Sequence, residues 1–170
     1  MPANWYKEQP SNRNYLSPIG FKIVLELFEG VDFFCQSATL PEISVPVTEV
    51  PTRFRNFPIV GGGGVSYGDL NLTFIIDEEL INYKSIHNWI RRNGASEQHM
   101  PTNEPQYSGG QLHILTSNFN TNHIIDFENL FPVSLTPIQF DSTVTDVEYF
   151  TSQVVFKYTN YTIRDENFKL

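Results

Sequence analysis

From residue 21 the chain alternates: Phe21, Ile23, Leu25 and Leu27 interleave with Lys22, Val24, Glu26 and Phe28. That period of two is expected of a strand with one face toward a core. Gly30 allows a turn into residues 31–38, so the two runs predict a β-hairpin. Alternation returns over residues 67–77, where Leu70, Leu72, Phe74 and Ile76 share a face, and strands are expected over 111–116, 123–127 and 130–140. The final strand, residues 148–163, is predicted to be the longest. It carries Phe150, Val154, Phe156 and Tyr158 on one side and Thr151, Gln153, Lys157 and Thr159 on the other. Unbroken, it would run about 50 Å at ~3.3 Å per residue, so a bend is expected.

The period changes to that of a helix once. Asp77, Glu78 and Glu79 combine an N-cap candidate with acidic residues suited to the positive end of a helix dipole. Arg91, Arg92 and Gly94 supply the stop. Between them Leu80, Tyr83, Ile86, His87 and Ile90 fall on one face, predicting an amphipathic helix of about four turns packed on the sheet.

Two stretches fit neither period. Residues 40–60 carry Pro41, Pro46, Pro51 and Pro58 among β-branched residues, with Arg53 and Arg55. Proline cannot donate to a central ladder, so this segment reads as an edge or a projecting arm, closed by the glycine run Gly61, Gly62, Gly63 and Gly64. Residues 95–110, including Ser108-Gly109-Gly110, read as a surface loop. Residues 1–18 are polar, contain three prolines and predict an extended N-terminal arm, leaving 19–170 as a single β domain.

Composition narrows the function. Aromatic residues make up 14% of the 170, with 14 Phe and eight Tyr, a balance suited to pleated surfaces. A net charge of −8 disfavours a protein that grips nucleic acid, which needs clustered Lys and Arg. The single cysteine, Cys35, excludes an intrachain disulfide and a multi-thiolate zinc site, and points to a cytosolic history. No stretch has the apolar length of a secretory signal core or a membrane span, so neither export by that route nor membrane embedding is expected. The sequons at Asn71 and Asn160 lie in strand-like segments and read as chance.

Candidate chemistry is sparse. His87, His99, His113 and His123 form no pair at metal-ligand spacing, and the 77–79 acidic run lacks the spacing of a calcium loop. Asp141, Asp146 and Glu148 read as a solvated turn. Gly61 to Gly64 precede a strand, with no Gly-Lys-Ser/Thr, so they read as a mechanical hinge instead of a phosphate cradle. Cys35 has no His or helix start beside it to activate a nucleophile. No enzyme, cofactor or metal site is predicted.

Several runs together resemble the tail tube protein family of contractile-tailed bacteriophages. They are Phe21-Lys-Ile-Val-Leu-Glu-Leu, Phe34-Cys35-Gln36-Ser37-Ala38-Thr39-Leu40-Pro41, Val50-Pro51, Ile59-Val60-Gly61-Gly62, and Leu70 through Glu78 leading into the helix with Trp89. The order continues through Leu130-Phe131-Pro132-Val133 and the final strand, so the resemblance covers residues 20–163. It implies a mainly β, antiparallel sandwich or barrel-like fold with one packed helix and a long protruding arm. It also implies hexameric rings, stacked in a virion tail assembled in the host cytoplasm, with sheath and baseplate proteins as partners. DNA would pass through the lumen without specific binding, and no membrane is involved. The arm between the second and third strands of the family contacts adjacent subunits and rings; by position this puts Val45, Pro46, Val47, Val50, Pro51, Arg53, Phe54, Arg55 and Phe57 at the interface. The same fold recurs in the type VI secretion tube and in baseplate proteins that start a tube, so a tube-initiator or terminator ring stays open beside the repeating ring. The polar N-terminal arm and the 95–110 excursion depart from the family. A monomeric ligand-binding β-barrel has little use for four prolines in an arm, and a hydrolase would need a placed triad or carboxylate pair.

Overall fold

In the computed structural model, residues 16–26, 35–94, 106–143 and 149–165 are described. The long strand β9 (Thr121–Leu135) ties their architecture together. Its first half pairs with β8 (Ser108–Leu115) on one edge and β11 (Asn160–Asp165) on the other. Its second half pairs with β10 (Thr151–Lys157), which pairs with β7 (Leu70–Ile75), which pairs with β2 (Cys35–Ala38). β1 (Phe21–Leu25) lies on the far side of β8. The order is β1-β8-β9-β10-β7-β2 with β11 off β9, and every ladder is antiparallel. β1 and β2, at the two ends of the path, approach each other without sharing a ladder, so the sheet curls toward closure in a barrel-like way.

The core follows the alternation. Ile23 and Leu25, Leu70, Leu72 and Phe74, Leu112, Ile125, Phe127 and Leu130, and Val154 and Phe156 are buried between the curling sheet and α1 (Ile81–Gly94). Trp89 anchors the helix: it is fully buried, its ring lies 6.0 Å from Phe156, and its indole N–H donates to the Gln106 carbonyl at 3.0 Å. Buried Asn82 ties the helix start to the end of β7 through the Ile75 carbonyl at 2.8 Å.

Several expectations are corrected. Residues 21–28 and 31–38 do not form a hairpin: β1 takes β8 as its partner and β2 takes β7. Gly30 lies outside the described residues, and local alternation carries no information about which strand is the neighbour. The helix begins at Ile81, not directly after Asp77; Asp77 still caps it, its carboxylate accepting from the Ile81 N–H at 2.9 Å, while Glu78 and Glu79 occupy the preceding turn. Leu80 there adopts φ 58°, which delays the helix. The buried face uses Asn82, Ile86 and Trp89, and His87 is exposed.

Ser108, Gly109 and Gly110 begin β8 and are not loop. A Cβ on Gly110 would lie 2.9 Å from Leu130 Cδ2, so the strand passes over the core only without a side chain there. Residues 123–127 and 130–140 are not two strands: β9 runs through, and at Asn129, φ 53°, the register with β8 shifts and the partner on the other edge changes from β11 to β10. Beyond Leu135 the strand ends, with Pro137 unable to donate. The final segment bends as expected and splits into β10 and β11 around Tyr158 and Thr159, opposite Asn129. β9, at 15 residues, is the longest strand. Of the N-terminal arm 1–18 and the 95–110 excursion, residues 1–15 and 95–105 lie outside the described residues.

Candidate assembly surface

Residues 40–67 form a projecting device of two short ladders. At its root β3 (Ile43–Ser44) pairs with β6 (Ser66–Tyr67); beyond that β4 (Val47–Pro51) and β5 (Asn56–Val60) form a hairpin. The turn at residues 52–55 is held by the Thr52 N–H on the Arg55 carbonyl at 3.2 Å and by the Thr52 hydroxyl on the same oxygen. The Asn56 amide donates to the Glu49 carboxylate across the ladder at 2.7 Å. A two-stranded ribbon has an outward edge on each strand, which is where Pro51 and Pro58 can be placed without costing a ladder bond.

Opposed residues in an antiparallel pair share a face. The register therefore puts Val47, Val60 and Pro58 on one face of the hairpin and Val50, Phe57 and Ile59 on the other. Each face carries apolar side chains, the first shared with the Glu49–Asn56 pair and the second with Thr48, and all ten residues of the two strands are exposed. Phe54 at the tip is 91% exposed and Val60 83%. Leu40, Ile43, Val45 and Val65 extend the exposed apolar surface to the root. Arg53 and Arg55 flank Phe54, and the Arg53 guanidinium lies 5.7 Å from its ring centroid. Each residue expected at the interface thus lies on this one projection, in β4, in β5, in their turn, or, for Val45 and Pro46, just before β4.

The glycine run closes the hairpin's base. Gly61 donates to the Pro46 carbonyl at 3.2 Å, and a Cβ there would meet the Thr48 hydroxyl at 2.7 Å. Gly62 faces open space and Gly64 adopts φ 86°, a conformation that favours glycine.

Elsewhere the polar groups are arranged for structure. Among the described residues, no cluster of three or more His, Cys, Asp or Glu could hold a metal ion. His123 pairs with Asp165 at 2.6 Å across the β9–β11 ladder. On the same sheet His113 contacts Gln111 at 3.2 Å, and Gln111 and Arg164 both donate to Asp126, at 2.8 and 2.9 Å. This lattice across β8, β9 and β11 is a feature the sequence hid, because its members are far apart in the chain. Burial pushes the Cys35 thiol up to about 11, outweighing a smaller lowering by a backbone hydrogen bond at Ser37, and keeps it protonated; the thiol donates to the Ser37 carbonyl at 3.4 Å. Asp141 accepts from the Thr143 N–H and hydroxyl in an exposed turn, and these bonds lower its pKa. No helix among the described residues is long and apolar enough to cross a membrane.

A family model for phage tail tube proteins matches residues 8–164. The chain belongs to the phage tail tube protein family. No curated protein matches its sequence. Its fold is shared with the tube-terminating cap of the anti-feeding prophage, at TM-score 0.67 and 15% identity, covering 95% of this chain and 98% of that one. It is shared with a chain of the sheath–tube complex of an extracellular contractile injection system, PVC, in the extended state (TM-score 0.65, 12% identity, 90% and 93% covered). Hcp1 of E. coli EAEC 042 is similar at TM-score 0.51 and 13% identity, with 88% and 93% covered. The mainly β, antiparallel fold expected from the sequence, with one helix among the described residues, is therefore shared with these structures.

Proposed function

We propose that this chain is a structural, non-enzymatic subunit of the inner tube of a contractile phage tail. It assembles as hexameric rings that stack around a DNA channel, inside a sheath and on a baseplate, after synthesis in the host cytoplasm. The observation that carries the reading is the hairpin: all ten residues of its strands are exposed, with Val50, Phe57 and Ile59 on one face, Val47, Pro58 and Val60 on the other, and no cover from the other described residues. Exposed apolar surface of this extent marks a site for another chain. The interface therefore comprises Val45, Pro46, Val47, Val50, Pro51, Arg53, Phe54, Arg55 and Phe57, with Gly61 to Gly64 as the hinge that sets the hairpin's angle.

The open edges support the same reading. Among the described residues, β1, β2 and β11 each have a ladder on one side only. Exposed edges invite pairing, and a closed ring removes them. A net charge of −8 gives a lumen little hold on DNA phosphates, so the genome slides.

Electron microscopy of the purified protein with mass measurement tests this: rings or tubes are expected, and a persistent monomer that binds a small molecule would refute it. Open-ended tubes identify the repeating subunit; single rings that never elongate identify a tube-initiating or terminating ring. Deleting residues 46–57 should leave the fold intact and abolish stacking, and unimpaired assembly would remove the role given to the hairpin.

A further inference from the structure

We propose that the hairpin tip, Arg53-Phe54-Arg55, seats in a groove at the root of the hairpin on a second copy of this chain. The proposal rests on the assembly reading above and specifies its contact. The groove is an open depression of about 540 Å³, mostly polar in its lining, with Leu40 and the Tyr67 ring as its apolar part and Thr39, Glu42, Asp69 and Lys157 as its polar part. It is of the size that takes a side-chain-sized guest, within the roughly 300–1,000 Å³ of ligand pockets. Tyr67 is held from behind by Tyr161 and Tyr158, with ring centroids 5.4 and 6.1 Å away, so the apolar wall is preformed.

Charge selects the guest. Lys157 is paired with Asp69, while Glu42 has no ion pair among the described residues. One negative charge is left over in the groove. At the tip, Arg53 and Arg55 also have no ion pair among the described residues, and they flank the most exposed large apolar side chain described. An aromatic ring between two cations matches an apolar wall with a spare carboxylate.

Geometry requires that the guest come from another copy. With five residues per strand, the hairpin carries its tip roughly 17 Å from its own base, whereas the groove lies below that base, beside β3 and β6. A tip-to-root contact joins two different patches and is heterologous. Such contacts propagate until they close a ring or build a stack.

Cross-linking tests the contact in the full chain. In a Cys35→Ser background, one preparation carries Thr52→Cys, which keeps Phe54, and a second, longer by a tag, carries Thr39→Cys in the groove lining, which keeps Leu40. Mixed under assembly conditions and mildly oxidised, they should give a mixed disulfide dimer. Arg53→Glu with Arg55→Glu on the Thr52→Cys chain should lower its yield about tenfold or more, since like charges would then meet. Adding Glu42→Lys to the Thr39→Cys chain should restore it. Rings seen by microscopy without the mixed dimer, or a yield indifferent to the charge swap, would overturn the socket and leave the tube reading standing. The charge-dependent dimer without rings would support the socket and refute the tube reading. Neither dimer nor rings would overturn both.

Discussion

Phe54 and Trp89 are both aromatic, and replacing each by alanine should have opposite consequences. Trp89 is fully buried against Phe156 and donates to the Gln106 carbonyl, so its truncation removes core volume and frees the helix from the sheet. The carbonyl keeps a second donor, the Asn93 amide at 3.2 Å, so the lost hydrogen bond adds little. The cost is the usual ~3–5 kcal/mol for emptying a large buried aromatic site. Against a total of ~5–15 kcal/mol that is a fifth or more of the stability. With m near 2–3 kcal/mol/M in urea, the midpoint should fall by about 1–2.5 M. Phe54 is 91% exposed, and Phe54→Ala should change the stability of the isolated chain by less than ~0.5 kcal/mol.

Assembly reverses the order of the two substitutions. If Phe54 is buried by a neighbour, its truncation forfeits ~1.5–3 kcal/mol per contact. That converts to a loss of contact affinity of about ten- to over a hundredfold. Urea unfolding followed by far-UV circular dichroism reads the first quantity, and the concentration at which rings appear by light scattering and microscopy reads the second. Phe54→Ala that unfolds as early as Trp89→Ala would show that the tip is packed within its own chain. Phe54→Ala that assembles at the wild-type concentration would show that its exposure serves no interface.

Further outcomes follow from backbone and burial. Gly110→Ala should cost ~1–3 kcal/mol because the new Cβ meets fully buried Leu130, whereas Gly109→Ala should stay within ~0.5 kcal/mol because the atoms it meets belong to the exposed Glu26 carboxylate, which can swing away; chemical denaturation of the pair checks the contrast. Asn129→Gly and Asn129→Ala both lose the exposed bond to the Thr159 hydroxyl, but Asn129→Ala should be less stable than Asn129→Gly by ~1 kcal/mol or more because, of the two, only glycine takes φ 53° without strain, again by denaturation. The Cys35 thiol, pushed from 9.0 to about 11, should react with a thiolate-selective reagent at pH 8 about 100-fold more slowly than an ordinary thiol, and faster as pH rises; a rate matching the unfolded chain would contradict its burial.

What the sequence made legible was burial, and what it concealed was partnership. Leu70, Leu72 and Phe74 alternate because one side of β7 meets the core, and the alternation could be read directly. The pairing of β1 with β8 joins residues about ninety positions apart, and no local signal records it. The same holds for the Asp126 lattice, whose members come from β8, β9 and β11. The glycines of β8 misled because their role is steric: composition cannot separate a glycine that turns from one that lets a core side chain lie close.

The projecting hairpin follows the same logic and gives it a use. Phe57-Pro58-Ile59-Val60 is a continuous apolar run, the pattern of a strand covered on both faces, although it and Val47 and Val50 of the paired strand are open to water. An apolar pattern reports the environment in which a segment is stable, which need not be the isolated subunit. Where pattern and exposure agree, as at Trp89, the chain completes its own packing. Where they disagree among the described residues, as from Val45 to Val60, a neighbouring chain is the cover proposed above, and the mismatch is the reason for proposing it there. A second such mismatch lies at Phe140 and Phe150, exposed yet packed edge to face 5.2 Å apart. By the same reasoning, Phe150→Ala should weaken assembly more than it weakens the fold. The measurements used for Phe54 decide it, and a loss of stability without a loss of assembly would break the inference from exposure to interface.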